Sequence, residues 1–227
     1  MGRELDLLRS LPRARRDVAA RAAARDPEVV RTARQYGREY FDGDRKFGYG
    51  GYKYDGRWRS VATDLIAYYK FGTSAVGYGD SPRVLDVGCA KGFLVHELHE
   101  HGLGAFGIDI SEYAVVKFPH SSAVGCLHLG TADDLPFPDK SFDLVLSINT
   151  LHNLPRPRLV RALREITRVS RGSAFVQVDS YRTPAEKALF EQWVLTAQWH
   201  GYPDDWLALF AEAGYVGDYG FTIVEAG

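Results

Sequence analysis

The chain is poor in cysteine. Cys89 and Cys126 are its two cysteines, too few for a disulfide framework, so both are expected to be reduced and the compartment cytoplasmic. No apolar run approaches the roughly 20 residues that span a bilayer. The first residues hold no apolar signal core, so no membrane partner is expected. The net charge is -1, which leaves no whole-molecule field to attract nucleic acid. Metal-ligand spacing is also lacking. His96, His99, His101 and His128 have no ligand-like partners, read as structural or solvated, and imply no metal.

What is present suits one substantial core with a small extension: 227 residues, 45% hydrophobic and 25% charged. Charge is uneven. Residues 1–40 hold ten arginines and six acids, an excess of four positive charges. They read as helical, with Pro12 and Pro27 as breaks or first-turn positions. The excess reads as a solvated helix face or as a basic arm for an anionic partner. Residues 41–58, FDGDRKFGYGGYKYDGRW, carry five glycines and many aromatics with no regular period. Residues 60–71 return to helix. From Arg83 onward strands (RVLDVG, AFGIDI, VGCLHLG, FDLVLSIN, SAFVQVDS, FTIVE) alternate with helices (GFLVHELHEHG, SEYAVV, RLVRALREITRVS, TPAEKALFEQWVLTA, PDDWLALFAEAG). That alternation predicts an α/β fold with a mostly parallel, doubly wound sheet and helices on both faces. The division expected is an N-terminal extension over 1–58 and a core domain over 59–227.

Such sheets bind ligands at the carboxyl ends of their strands. VLDVGCAKGF, residues 84–93, puts a glycine turn there. Gly88 and Gly92 let the backbone turn and approach a ligand, and Cys89 is the small residue the turn requires. Asp109 ends the second strand, where a carboxylate can accept both ribose hydroxyls. GTADDLPFPDKSFDLV, residues 130–145, supplies a polar turn at an adenine edge, and the fourth strand delivers Asn149 and His152 to the same rim. A nicotinamide site would use G-x-G-x-x-G. Here the spacing is G-x-x-x-G with Asp86 two residues upstream. That acid repels a pyrophosphate and suits a ligand with an ammonium and a sulfonium, so S-adenosylmethionine is preferred over NAD.

These segments, with SINTLHNL, resemble the signatures of class I S-adenosylmethionine-dependent methyltransferases, small-molecule type 11 branch. The resemblance covers about residues 60–180. It implies a Rossmann-like seven-stranded sheet, S-adenosylmethionine as cofactor and methyl transfer. Matched position by position, it implies Asp86, Gly88, Ala90 and Gly92 around the methionine part, with Asp109 on the ribose. Ile110 falls against adenine, Thr131, Ala132 and Asp133 at the adenine edge, and Asn149 under the sulfonium. The family loop has glycine where this chain has Ala90, which is tolerable if its φ is negative. The family often ends in a strand hairpin, and here the final strands should be short or one missing.

The tyrosine loop lies where related enzymes carry a lid, with Tyr49, Tyr54 and Trp58 on the cofactor side and Tyr52 on the acceptor. Weaker resemblance in this leader points to bacterial natural-product or surface-sugar methyltransferases. The acceptor expected is a small molecule methylated on O or N. His152 is the first candidate base, and Asp179 could share the role or orient an amine. Asn153, Tyr181, Gln198, Trp199 and His200 are candidate acceptor contacts, while Trp193 reads more readily as core. Signatures of nucleobase amino-methyltransferases, of cytosine C5 enzymes and of magnesium-dependent catechol-type enzymes are absent from the end of strand four. A non-catalytic S-adenosylmethionine-binding protein and a protein or RNA methyltransferase remain as alternatives, and a homo-oligomer is left open.

Overall fold

The computed structural model describes residues 2–12, 16–72, 81–116 and 125–225. Six strands form one sheet: β1 Arg83–Val87, β2 Gly104–Asp109, β3 Leu127–Leu129, β4 Phe142–Ile148, β5 Ser170–Ser180 and β6 Asp218–Ile223. Their order is β3-β2-β1-β4-β5-β6 and every pair is parallel. Strand order reverses at β1, which has β2 on one side and β4 on the other, so the crevice for a ligand opens beyond Val87. Among the described residues this is one strand fewer than the resemblance implies. After β5 the chain returns as β6, parallel, and among the described residues β6 is the last strand.

Side chains alternate across the strands, and both faces are covered. Leu85, Val87, Val145, Val176 and Val178 face one helical layer, α7 (Arg156–Val169) and α9 (Pro203–Ala213). Val84, Leu144, Leu146 and Phe175 face the other, α4 (Trp58–Tyr69) and α5 (Phe93–Glu100). A strand buried on both faces needs apolar residues at most positions, which is why RVLDV and FDLVLSI read as near-continuous apolar runs. A bulge after Phe142 lets Phe142 and Val145 reach the same cluster. The short helix α6 (Glu112–Val116) is capped by Ser111, whose Oγ accepts from Ala114 N–H at 3.1 Å.

The extension departs from the sequence reading. Residues 3–5 are not helical. They pair with the free edge of β6, where Leu5 N–H donates to Tyr219 O at 2.8 Å and Tyr219 N–H to Arg3 O at 3.0 Å. The open edge of β6 offers backbone partners that a short isolated helix cannot match. Three short helices follow: α1 Val18–Ala23, α2 Pro27–Ala33 and α3 Arg38–Asp42. Pro27 opens α2, with Asp26 capping the Val29 N–H.

These helices pack on the segment after β5. Val18 joins Tyr181, Phe190 and Val224, and Val29 and Ala33 join Leu195. The helix α8 (Pro184–Trp193) accordingly stops short of the expected Ala197. Val194 turns extended, its carbonyl accepts from Arg25, and Leu195 is drawn into the extension's cluster. The strand expected at 124–130 is confined to Leu127–Leu129, and Val124 lies outside the described residues.

Candidate active site

Two cavities meet at the carboxyl edge of the sheet. The first, about 400 Å³, is lined by the ends of β1, β2, β3 and β4 and roofed by Arg34, Gln35, Tyr36, Tyr40 and Phe41 of the extension. The second, about 530 Å³, lies beside it over β5. Tyr40, Tyr49, Tyr52, Trp58, Asn149 and Asn153 line both.

The floor of the first cavity is the glycine turn. Gly88 has φ +85, and a Cβ there would lie 2.0 Å from Thr150 Oγ1, so both backbone and space demand glycine. The Gly88 and Cys89 N–H groups donate to Ile108 O at 2.8 and 3.2 Å, fixing the turn to β2. Ala90 has φ +50, so the condition of a negative angle is not met. Its N–H donates to Asp109 Oδ2 at 2.8 Å, and this charge-assisted bond offsets the strain of a left-handed alanine. The other Asp109 oxygen accepts from Ser111 N–H at 2.8 Å. Each oxygen keeps a further lone pair for a ligand.

Asp86, Gly88, Cys89, Ala90, Asp109, Ile110, Thr131, Ala132 and Asn149 all line this cavity. Burial, then Asp109, pushes the Asp86 carboxyl up to about 7. Burial also raises Asp109, with backbone donors from Ser111, Ala90 and Ile110 acting against it. Lys91, on the turn, gives its charge to Asp42 of α3 at 2.6 Å instead. The cavity therefore pairs two acids with no cation at their carboxylates among the described residues, a setting that favours a positively charged ligand. The donor set, the glycine cradle and the volume fit S-adenosylmethionine.

Three residues expected on the cofactor do not line either cavity. Gly92, φ +74, starts α5 against the Leu127 side chain. Tyr54 packs on Phe93 and donates to Glu97 Oε1 at 2.5 Å, drawn away by a buried carboxylate. Asp133 accepts from Arg158 at 2.7 and 2.9 Å and from Arg161 at 2.8 Å. Those bonds, led by Arg158, hold its carboxyl far below the ordinary range. Arg158 lines the cavity in its place.

The second cavity contains His152 and Asp179. His152 is 2% exposed. Its Nδ1 accepts from the Asp179 backbone N–H at 3.3 Å, and its Nε2 lies 3.4 Å from Asp179 Oδ2. Both ring nitrogens are thus engaged, and no lone pair is left facing an acceptor. Burial lowers His152, opposed by Asp179, and raises Asp179, opposed by His152 and then Arg16. Asn149 sits at the junction with φ +51, its Oδ1 accepting from Thr222 Oγ1 at 3.0 Å.

Of the other expected acceptor contacts, Tyr52 and Asn153 line the cavity and Gln198 lines the first one, bonded to Asn153 O at 2.7 Å. Tyr181, Trp199 and His200 line neither. Tyr181 OH and His200 Nδ1 pair at 3.0 Å, His200 packs tilted against Phe190, and Trp199 packs on Trp206 at 4.4 Å. Tyr181 follows the end of β5 and is drawn into the cluster of Val18, Phe190 and Val224 instead. Trp193, read as core, lines the cavity under Arg21 and Arg45. The sequence reading expected Tyr49, Tyr52 and Trp58 over the site but missed the arginines and the roof residues Tyr36, Tyr40 and Phe41. Their signals were the basic excess of residues 1–40 and the tyrosines around residue 40.

Residues 85–212 match the type 11 methyltransferase domain family. Among curated proteins, a fatty-acid O-methyltransferase of Mycolicibacterium smegmatis is 32% identical over 113 residues, covering 48% of this chain and 40% of that protein. The mitochondrial arginine-hydroxylase NDUFAF5 of Rattus norvegicus is 36% identical over 81 residues, covering 34% and 24%. The chain spans less than half the length of these relatives. Among solved structures, a SAM-dependent methyltransferase from Archaeoglobus fulgidus aligns with TM-score 0.53 at 20% identity, covering 69% of this chain and 68% of that one, a likeness of fold.

Proposed function

This chain belongs to the type 11 methyltransferase domain family, with S-adenosylmethionine as its cofactor, and we propose that it moves a methyl group to a hydroxyl of a small molecule held in the second cavity. The observation that carries this reading is the Asp179 carboxylate, inside a cavity that joins the cofactor cleft across Asn149. Asp86, Gly88, Ala90 and Asp109 would hold the cofactor's methionine and ribose, and Ile110, Thr131 and Ala132 its adenine. The bound cofactor supplies a methyl group already activated on a cationic sulfur.

The chain's own work is then positioning, exclusion of water and removal of a proton. The roof of Tyr40, Tyr49 and Tyr52 closes over both cavities, and holding the acceptor in line supplies most of the rate advantage. A hydroxyl must shed its proton as it is methylated. Asp179 takes it: burial strengthens its hold on protons, which suits a base working near neutral pH. His152 is a positioning residue, because its Nδ1 and Nε2 grip the Asp179 backbone and carboxylate. A neutral amine carries its extra proton away after transfer and needs such a base less, which favours oxygen.

Calorimetric titration with S-adenosylmethionine, S-adenosylhomocysteine and NAD tests the cofactor site. Both adenosyl ligands should bind and NAD should not; NAD alone would return the chain to the dehydrogenases. Transfer of labelled methyl to a panel of hydroxylated small molecules tests the reaction. Asp179→Asn should lower kcat roughly 10²- to 10⁴-fold with S-adenosylhomocysteine affinity kept. Turnover unaffected by Asp179→Asn removes Asp179 as the base.

A further inference from the structure

The second cavity holds an unusual concentration of positive charge. Arg16, Arg21, Arg45, Lys53 and Arg57 line it, against Asp55 and Asp179. Arg57 is neutralised by Asp55 at 2.5 Å. The other four cations form no ion pair among the described residues. Several arginines elsewhere pair with carboxylates: Arg158 with Asp133 at 2.7 Å, Arg168 with Glu165 at 2.7 Å, Arg171 with Asp143 at 2.8 Å. The cavity cluster differs from these in gathering, at one place, four cations with no ion pair among the described residues.

Two of the four are held in place by neutral groups. Arg21 donates to the carbonyls of Arg45 and Gly48, both at 2.7 Å, and stacks on Trp193 at 4.2 Å. Arg45 donates to Gly48 O at 3.1 Å and Tyr49 O at 2.6 Å and lies over the same ring at 5.2 Å. These contacts fix the guanidinium groups and leave their charge uncancelled. Burial and the neighbouring Arg45 push Arg21 down to about 10, and Arg45 is lowered by burial and by Arg16. Arg45 is repelled by Arg16 and repels Arg21, and among the described residues none of the three has an ion-pair partner, although Arg16 acts across the cavity on Asp179. Arg16 and Lys53 spend no donors on hydrogen bonds among the described residues.

We infer that the acceptor carries an anionic group, a carboxylate or a phosphate, seated on Arg16 and Lys53 within the field of Arg21 and Arg45. This rests on reading the second cavity as the acceptor site. The anion is an anchor and is separate from the reacting hydroxyl, because Asp179 would repel a carboxylate placed at the point of transfer. An anion there satisfies free donors and cancels repulsion among fixed cations, the pattern by which guanidinium groups recognise carboxylates and phosphates. Trp193 and the shared tyrosines leave an apolar wall for the body of the molecule.

The test uses the full chain saturated with S-adenosylhomocysteine. Inorganic phosphate and acetate are titrated separately at constant ionic strength against chloride, with glycerol as the neutral control. One anion should bind saturably, and Arg16→Gln with Lys53→Gln should weaken it at least tenfold. Phosphate tighter than acetate identifies a phosphorylated acceptor, and the reverse a carboxylate. The double variant should keep its melting temperature and bind S-adenosylhomocysteine within twofold of the parent. Failure of both anions to bind, or binding that the double variant leaves intact, overturns the inference. Loss of S-adenosylhomocysteine binding by the parent protein would strike the methyl-transfer reading instead, and the anion titration then decides on the cofactor-free protein.

Discussion

Ala90 and Asp86 do the most at the scale of single residues. Ala90 stands left-handed in a turn where glycine would be unstrained. Ala90→Gly should be neutral or stabilising by under about 1 kcal/mol, since relief of strain is partly offset by unfolded-chain entropy. Ala90→Val should cost about 1–3 kcal/mol, because a β-branched side chain resists positive φ. Urea unfolding of the pair measures this, and equal stability of the two variants would contradict the φ of +50.

Asp86 makes a prediction about pH. Its carboxyl rises to about 7 in the fold, against about 3.9 in an unfolded chain. Between those values the folded state binds the extra proton, so the cofactor-free protein should lose stability as pH rises from 4 to 7. A cationic ligand favours the ionised carboxylate. Binding of S-adenosylmethionine at pH 6.5 should therefore release protons, seen as a heat that changes with the buffer's ionisation enthalpy. No buffer dependence would remove Asp86 from the ligand's charge.

Among elements, the junction between the extension and the glycine turn matters most. Lys91 Nζ reaches Asp42 at 2.6 and 2.8 Å and Tyr52 O at 2.8 Å, and Tyr113 OH donates to the same Asp42 at 2.6 Å. Roof and floor of the cofactor cleft are thus joined by one carboxylate. The Lys91 side chain is 8% exposed and that of Asp42 24%. Asp42→Ala strands a buried ammonium and should cost about 3 kcal/mol. Amide exchange should accelerate over residues 40–54 while β1 and β4 stay protected, and S-adenosylhomocysteine affinity should fall. Uniform acceleration across the sheet would mean that the roof is not a separate unit.

For the whole molecule, a net charge of -1 hides segregation: acids at Asp86 and Asp109 in one cavity, unpaired cations in its neighbour. Ligand binding should register in global stability. At a hundredfold excess over Kd, S-adenosylhomocysteine adds about 2.7 kcal/mol, which raises Tm by roughly 5–10 °C for a domain of this size. NAD should leave Tm unchanged. A shift with NAD and none with the adenosyl ligand would reverse the assignment of the cleft.

The local patterns determined the scaffold and the floor of the cleft. Apolar runs of five to seven residues alternating with amphipathic helices specify a parallel sheet, because strands covered on both faces admit few polar positions. The glycine turn and the acid at the end of β2 were equally legible, since each does its work within a few residues of chain. Tertiary structure alone decided the rest. Residues 3–5 read as helix but lie on the edge of β6, some 215 positions away. Asp133 looked like a ligand contact and is held by two arginines of α7. His152 looked like the base until its nitrogens were found turned on Asp179. Arg16 and Arg21 looked like a solvated face and line a cavity. Each depends on partners remote in the chain, and a sequence states which groups exist but not which remote group reaches them first.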